Sequence, residues 1–444
     1  MNEPPLNDSL LKNLVLVPQP PVDTILCGNA LSLLRTLPSA SVHCIVTSPP
    51  YYGLRAYGTA AQVWGGDGDC THVWGAPQRT AWANEVAGQT SDPGKNTVSH
   101  QRAKETGPDC LHCGAWYGEL GQEPTPDRYV AHLVAIFREA RRVLRADGVC
   151  FLNLGDSYAG SWGNYAPGGI KSQQRPQTEQ GQRWERRAYG DTSQRPATAD
   201  VPGLKPKDLI GIPWRVAFAL QADGWWLRSD IIWAKPNPMP ESVRDRPTRS
   251  HEYVFLLTKS ERYYYDGEAI REQPAPASLA RIAQASFTQQ TGGSKDYAQT
   301  GVNPNRSARR ALEHFAARVG DSRADKQRGH SRPHAGFNDR WDQLSKEQQQ
   351  AMGCNKRDVW RVATRPFPEA HFAVMPEALV EPCVLAGCPS GGIVLDPFMG
   401  AGTVGVVARR HQRHYLGIEL NDDYAAMAEK RIARMRQPVL WSTR

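Results

Sequence analysis

Apolar residues in this chain fall into two kinds of pattern, short continuous runs and longer stripes at helical spacing, and the two alternate. Val42-His43-Cys44-Ile45-Val46, Val149-Cys150-Phe151-Leu152-Asn153-Leu154 and Gly392-Ile393-Val394-Leu395 are apolar almost throughout, as strands covered on both faces must be. Between them Tyr129, Leu133, Ile136, Phe137, Ala140 and Leu144 recur at helical spacing after Pro126-Asp127-Arg128, and the stripe stops at Ala146-Asp147-Gly148. Further helices are predicted after Asn29, which reads as a cap, over 212–220, and from Met375-Pro376-Glu377 onward. Thr24-Ile25-Leu26 and Val359-Trp360-Arg361-Val362 read as short strands, and 225–233 and 251–259 as antiparallel neighbours. Strands alternating with helices predict an α/β fold.

Two strand ends carry chemistry. The strand at 42–46 runs without a spacer into Thr47-Ser48-Pro49-Pro50-Tyr51. Paired prolines keep that loop extended and rigid, because proline lacks an N–H and holds its predecessor out of the helical region. The loop offers a hydroxyl at Ser48, stiff carbonyls at Pro49 and Pro50, and an aromatic face at Tyr51. Such a set suits a flat, amino-bearing ring, whose NH2 donates to the carbonyls while the ring stacks on tyrosine. Near the other end, Leu395-Asp396-Pro397-Phe398-Met399-Gly400-Ala401-Gly402-Thr403 passes from a strand through a glycine turn into a helix. The helix directs its first N–H groups and positive dipole end at that turn. Nineteen positions past Gly400, Tyr415-Leu416-Gly417-Ile418 ends in Glu419, an acid placed to grip ribose hydroxyls. The third glycine of the dinucleotide fingerprint is missing, which argues against a dinucleotide.

Ser48-Pro49-Pro50-Tyr51 resembles the catalytic motif of the amino-methylating DNA methyltransferases, which use S-adenosylmethionine to modify adenine N6 or cytosine N4. Asp396-Pro397-Phe398-Met399-Gly400-Ala401-Gly402-Thr403 resembles their cofactor motif. The resemblance implies a Rossmann-like methyltransferase fold, a mostly parallel sheet with helices on both faces, in the circularly permuted motif order called the β arrangement. It implies catalytic roles for Ser48, Pro49, Pro50 and Tyr51, and cofactor contacts from Asp396, Phe398, Gly400, Gly402, Thr403 and Glu419. Where the family usually has Gly-Asp meeting the cofactor's adenine amino group, this chain has Gly28-Asn29, whose amide oxygen can accept the same hydrogen bond. Gly155-Asp156-Ser157-Tyr158 is similar to a segment beside the target-base pocket, although Asp156 reads equally as a helix cap. Lys235-Pro236-Asn237 and His251-Glu252 have counterparts too, and the segment at 371–380 resembles one covering the methionine end of the cofactor. Serine before Pro-Pro is commoner in family members acting on cytosine N4, so the resemblance leans that way and leaves adenine N6 open.

The remaining segments give the domain plan. Residues 1–20 read as a flexible arm, 21–59 as the catalytic part of the core, 121–270 as core with a mobile loop at 159–205, and 355–444 as the cofactor-binding part. Residues 60–120 form an insert with no regular period, carrying Cys70-Thr71-His72 and Cys110-Leu111-His112-Cys113-Gly114. Cys70, His72, Cys110 and Cys113 could hold a structural zinc, with His112 as a substitute ligand; free cysteines in a surface loop are the alternative. Residues 271–354 form a basic region, with twelve Lys or Arg against six Asp or Glu over 271–340. Such a stretch suits target recognition on DNA, though composition alone fits a solvated linker as well.

Composition narrows the classes. A chain of 444 residues with 40% hydrophobic content supports a sizeable core with insertions. No apolar run reaches the ~20 residues of a membrane span, and the amino terminus lacks a signal pattern, so cytoplasmic residence is expected. Nine cysteines in such a setting imply thiols or metal ligands. The net charge of +8 favours a polyanion such as double-stranded DNA. The expected activity is S-adenosylmethionine-dependent methylation of a flipped base, with an inactive DNA-binding regulator or an RNA methyltransferase as alternatives. A homodimer is common in the β arrangement, yet no heptad pattern marks an interface here.

Overall fold

The computed structural model describes residues 20–54, 59–79, 105–159, 203–205, 207–241, 243–273, 353–364 and 374–435. Most of the 271–354 basic region, most of the 159–205 loop and all but the last residue of the 1–20 arm lie outside the described residues. The chain divides into two compact units, Met1–Ala269 with Arg357–Arg444, and Ile270–Lys356. In the second, Glu272 and Cys354 exchange backbone hydrogen bonds at 2.8 Å each.

The first unit is built on a sheet of eight strands in the order β1-β12-β11-β2-β7-β9-β8-β10. These are β1 (Thr24–Cys27), β2 (Val42–Thr47), β7 (Leu144–Leu154), β8 (Trp226–Ala234), β9 (His251–Thr258), β10 (Val359–Arg361), β11 (Ile393–Asp396) and β12 (His414–Glu419). All pairings are parallel except those of β9 with β7 and β8. The remaining strands form two short antiparallel ribbons in the insert, β3 (Gln62–Trp64) with β6 (Trp116–Gly118), and β4 (Gln78–Arg79) with β5 (Glu105–Thr106). Strands of two or three residues are too short to leave a period in the sequence, which is why the insert reads as irregular.

Helices cover both faces. On one lie α1 (Ala30–Thr36), α2 (Pro126–Val143) and α3 (Ile212–Ala222), whose Leu34, Leu133, Phe137 and Val216 share a core with Ile45, Leu152, Phe255 and Leu395. On the other, α4 (Glu377–Gly387) sets Gly387 against Val149, Cys44 and Phe151, the alternate residues of the same strands. Packed beside it are α5 (Thr403–Arg410) and α6 (Asp422–Arg434). Leu144 departs from its expected helical place: its N–H still bonds Ala140 O, but its backbone is extended and it opens β7 opposite Val42. Among the described residues no helix is long and apolar enough to cross a membrane.

Candidate active site

Parallel register places the carboxyl ends of β1, β12, β11, β2 and β7 along one edge of the sheet. Antiparallel β9 brings its first residues, His251 and Glu252, to the same edge, and β8 brings its last, next to Lys235. Strand order reverses between β11 and β2, and crevices at such reversals are where open α/β sheets bind ligands. Here the two strands are tied together: Thr47 Oγ1 donates to buried Asp396 Oδ1 at 2.6 Å, and the same oxygen accepts from Phe398 N at 3.0 Å. Burial raises the Asp396 carboxyl to a pKa of about 7, against the lowering effect of these bonds.

The loop after β2 is held from several sides. Tyr51 Oη donates to Glu252 Oε2 at 2.7 Å and accepts from Asn153 Nδ2 at 2.6 Å. Asn153 Nδ2 also approaches Glu252 Oε2 at 3.1 Å and Ser48 Oγ at 3.3 Å, and Ser48 Oγ reaches Tyr51 Oη at 3.3 Å. Lys235 pairs with the other oxygen of Glu252 and sits 4.4 Å from the centre of the Trp233 ring. Below the Tyr51 ring lies Gly155, where a methyl group would come within 2.5 Å of a ring carbon; only glycine lets backbone and ring approach so closely. Tyr129 Oη donates to the Pro50 carbonyl at 2.7 Å. The Pro50 oxygen is thus engaged by α2 on one of its two lone pairs.

The cofactor side is equally local. Glu419 Oε2 accepts from Gly400 N at 2.7 Å and its Oε1 from Asn421 N at 2.9 Å, so the acid at the end of β12 braces the glycine turn. Burial raises its pKa, the same two amides opposing the shift. Helix α5 starts at Thr403 after Gly402 with no side-chain cap, leaving its first N–H groups directed at the turn. Asn29 Oδ1 caps α1 by accepting from Ser32 N at 3.0 Å, and Gly28 N bonds the Glu419 carbonyl at 2.8 Å. Asn29 therefore stands beside Glu419, with its oxygen already one bond engaged. A glycine turn, an uncapped helix start and an acid at the end of the adjacent strand are the groups that a nucleoside with a free ribose requires.

Asp156 proves to be a cap, and for a distant helix. Its Oδ1 accepts from Ser157 N at 2.9 Å, Gly211 N at 3.0 Å and Ile212 N at 2.9 Å, closing the amino end of α3. Sequence reasoning missed Thr47, Asn153 and Tyr129 as site residues and gave no role to Lys235 or Glu252. Their positions follow from strand pairing, and none carries a local signal beyond the family likeness of Lys235 and Glu252.

Sheet and edge together define a class: an α/β protein that seats a nucleoside cofactor on one side of a strand-order reversal and presents a Ser-Pro-Pro-Tyr loop on the other. A family model described as DNA methylase, of the N6 and N4 type, matches residues 42–430. The chain belongs to that family, the S-adenosylmethionine-dependent amino-methylating DNA methyltransferases. Type II methyltransferase M.Cfr9I of Citrobacter freundii is 36% identical over 92% of this chain and 87% of its own. For M.SmaI of Serratia marcescens the figures are 36%, 93% and 91%. Among solved structures, the PvuII DNA methyltransferase (cytosine-N4-specific) aligns over 94% of this chain and 92% of that one, at 13% identity and a TM-score of 0.44.

Proposed function

We propose that this protein methylates the exocyclic amino group of a base flipped out of double-stranded DNA at a specific site, with cytosine N4 favoured over adenine N6. The observation that carries the reading is the Thr47–Asp396 bond at 2.6 Å, which fixes the Ser-Pro-Pro-Tyr loop against the cofactor turn at the sheet's reversal point. Specific-site action is supported by the type II relatives. The lean to cytosine rests on Ser48.

S-adenosylmethionine supplies a methyl group made electrophilic by its sulfonium. Asp396, Phe398, Gly400, Gly402, Thr403, Glu419 and Asn29 would hold the nucleoside end of that molecule. Tyr51 stacks on the target base, and Ser48 Oγ with the Pro49 carbonyl accepts hydrogen bonds from its amino group. Those bonds draw the nitrogen lone pair out of conjugation with the ring. With the lone pair freed by Ser48 Oγ and the Pro49 carbonyl, the amino nitrogen would accept the methyl group that the bound cofactor supplies and give up one proton to water. Positioning supplies the rate; no protein nucleophile is needed, since the amino nitrogen already has a lone pair.

The test incubates the purified protein with genomic DNA and isotopically labelled S-adenosylmethionine, digests the DNA, and identifies the labelled nucleoside by mass spectrometry. Label on N4-methylcytosine supports the full reading, and label on N6-methyladenine keeps the mechanism while removing Ser48 as the selector. Ser48→Ala and Tyr51→Ala are expected to lower turnover at least about 100-fold and leave cofactor affinity within about 2-fold. Wild-type turnover in both variants would sink the assignment.

A further inference from the structure

Away from the sheet edge, four soft side chains converge in the insert. Cys70 and His72 precede residues 80–104 and Cys110 and Cys113 follow them, yet their ligand atoms all lie within 4.8 Å of one another. Cys70 Sγ is 3.9 Å from Cys110 Sγ, and Cys113 Sγ is 3.5 Å from His72 Nδ1. Around a tetrahedral zinc with Zn–S of about 2.3 Å and Zn–N of about 2.0 Å, two sulfurs stand about 3.8 Å apart and a sulfur and a nitrogen about 3.5 Å. We propose that Cys70, His72, Cys110 and Cys113 bind one structural zinc ion, which fixes the insert beneath the catalytic loop. His112, adjacent in sequence, is not in the cluster.

Backbone geometry shapes the cluster before any ion arrives. Gly114 N bonds Cys110 O at 3.0 Å with φ at 72°, the left-handed turn that aims both sulfurs of a Cys-x-x-Cys-Gly knuckle at one point. His112 N lies 3.4 Å from Cys110 Sγ, an N–H···S contact that steadies a thiolate. Leu111 N to Val73 O at 2.8 Å and Gly75 N to Asp109 O at 2.9 Å hold the two half-sites together. Four protein ligands close the coordination shell and leave no position for water, so the ion is structural and takes no part in methyl transfer.

The knuckle leads to the catalytic loop by a continuous set of contacts. Asp109 is paired with Arg128 at the start of α2, the nearer oxygen–nitrogen pair aside at 3.0 Å. Trp116 donates to Gly107 O at 3.0 Å and stacks on His132, whose Nδ1 lies 3.0 Å from Oε1 of buried Glu123. Glu123 Oε2 accepts from Gly121 N at 2.8 Å, and the Gly121 carbonyl accepts from Gly53 N at 2.9 Å, two residues past Tyr51. An insert as poor in core residues as this one needs such a staple to present Gly121 in one place.

Metal content decides the matter independently of activity. Full-length protein, expressed without added metal and dialysed against metal-free buffer, is analysed by plasma mass spectrometry, alongside Cys113→Ser, His72→Ala, and Cys354→Ser as an exposed-cysteine control. The expected result is about one zinc per chain, lost in the first two variants and kept in the third. Exchange of wild-type protein with Co2+ should give thiolate-to-cobalt charge transfer and the visible bands of a tetrahedral site, a readout that needs no variant to fold. Folded wild-type protein without stoichiometric zinc, a Cys70–Cys110 disulfide in peptide maps, or a cobalt spectrum without thiolate bands would overturn the proposal. Failure of methyl transfer with one zinc bound would count against the function proposed above and leave the metal site standing.

Discussion

Tyr51 is held by its hydroxyl as well as by its ring, and the group that holds it comes from 201 residues away. Glu252 is the centre of that arrangement: one oxygen accepts from Tyr51 and Asn153, the other takes Lys235, and its side chain is only 16% exposed. A largely desolvated carboxylate with charge-assisted bonds orients its partners more strictly than a neutral amide does. Glu252→Gln keeps the shape but strands the Lys235 ammonium and offers Tyr51 a weaker acceptor. The expected outcome is a fall in turnover of about 10-fold, equivalent to about 1.4 kcal/mol, with cofactor affinity unchanged in titration calorimetry. Equal turnover in variant and wild type would show that the ring alone, packed on Gly155, positions the base. Ser48, Pro49, Pro50 and Tyr51 were legible in the sequence because a proline pair after an apolar strand dictates its own conformation. Glu252 and Asn153 were not legible as partners of Tyr51, because their meeting depends on which strands lie side by side.

At the scale of elements, α3 illustrates how a helix can depend on a residue from another strand. Gly211 at its amino end has no side chain to accept the first N–H groups, and Asp156, at the end of β7, does so instead. Both readings of Asp156 were open in the sequence; the geometry gives the cap. Removing a buried acceptor of three backbone donors costs about 1–3 kcal/mol, so Asp156→Ala is expected to lower the melting temperature by several degrees, and Asp156→Asn by distinctly less. Calorimetric scans of both variants check this, and equal melting of all three proteins would remove the capping role. The main helices and central strands were predicted from periodicity because apolar spacing is a local property. The insert's ribbons were not, since strands this short have too few side chains to repeat.

For the molecule as a whole, the central fact is that the catalytic and cofactor segments, 349 residues apart at Thr47 and Asp396, meet at a buried hydrogen bond. Burial raises the Asp396 carboxyl from the ordinary 3.8 to about 7. An acid whose folded pKa lies above its unfolded one stabilises the fold fully below the unfolded value and loses that contribution as pH rises through the folded value. Wild-type protein should therefore lose melting temperature relative to Asp396→Asn between pH 5 and about 7 and hold a constant difference above. A difference that is flat across this range would place the carboxyl near its ordinary value.

The sequence by itself determined the strand and helix alternation, the rigid Ser-Pro-Pro-Tyr loop, the glycine turn and the acid nineteen residues beyond it, since each of these is set by the conformational limits of neighbouring residues. Only the tertiary structure decided that Thr47 would bond Asp396, that Pro50 would accept from Tyr129, that Asp156 would cap α3, and that Asn153 and Glu252, the latter paired with Lys235, would gather on Tyr51. The reason is physical: each of these contacts joins a side chain to a group distant in sequence, brought to it by sheet order and register, which are properties of the folded chain and not of any stretch of it.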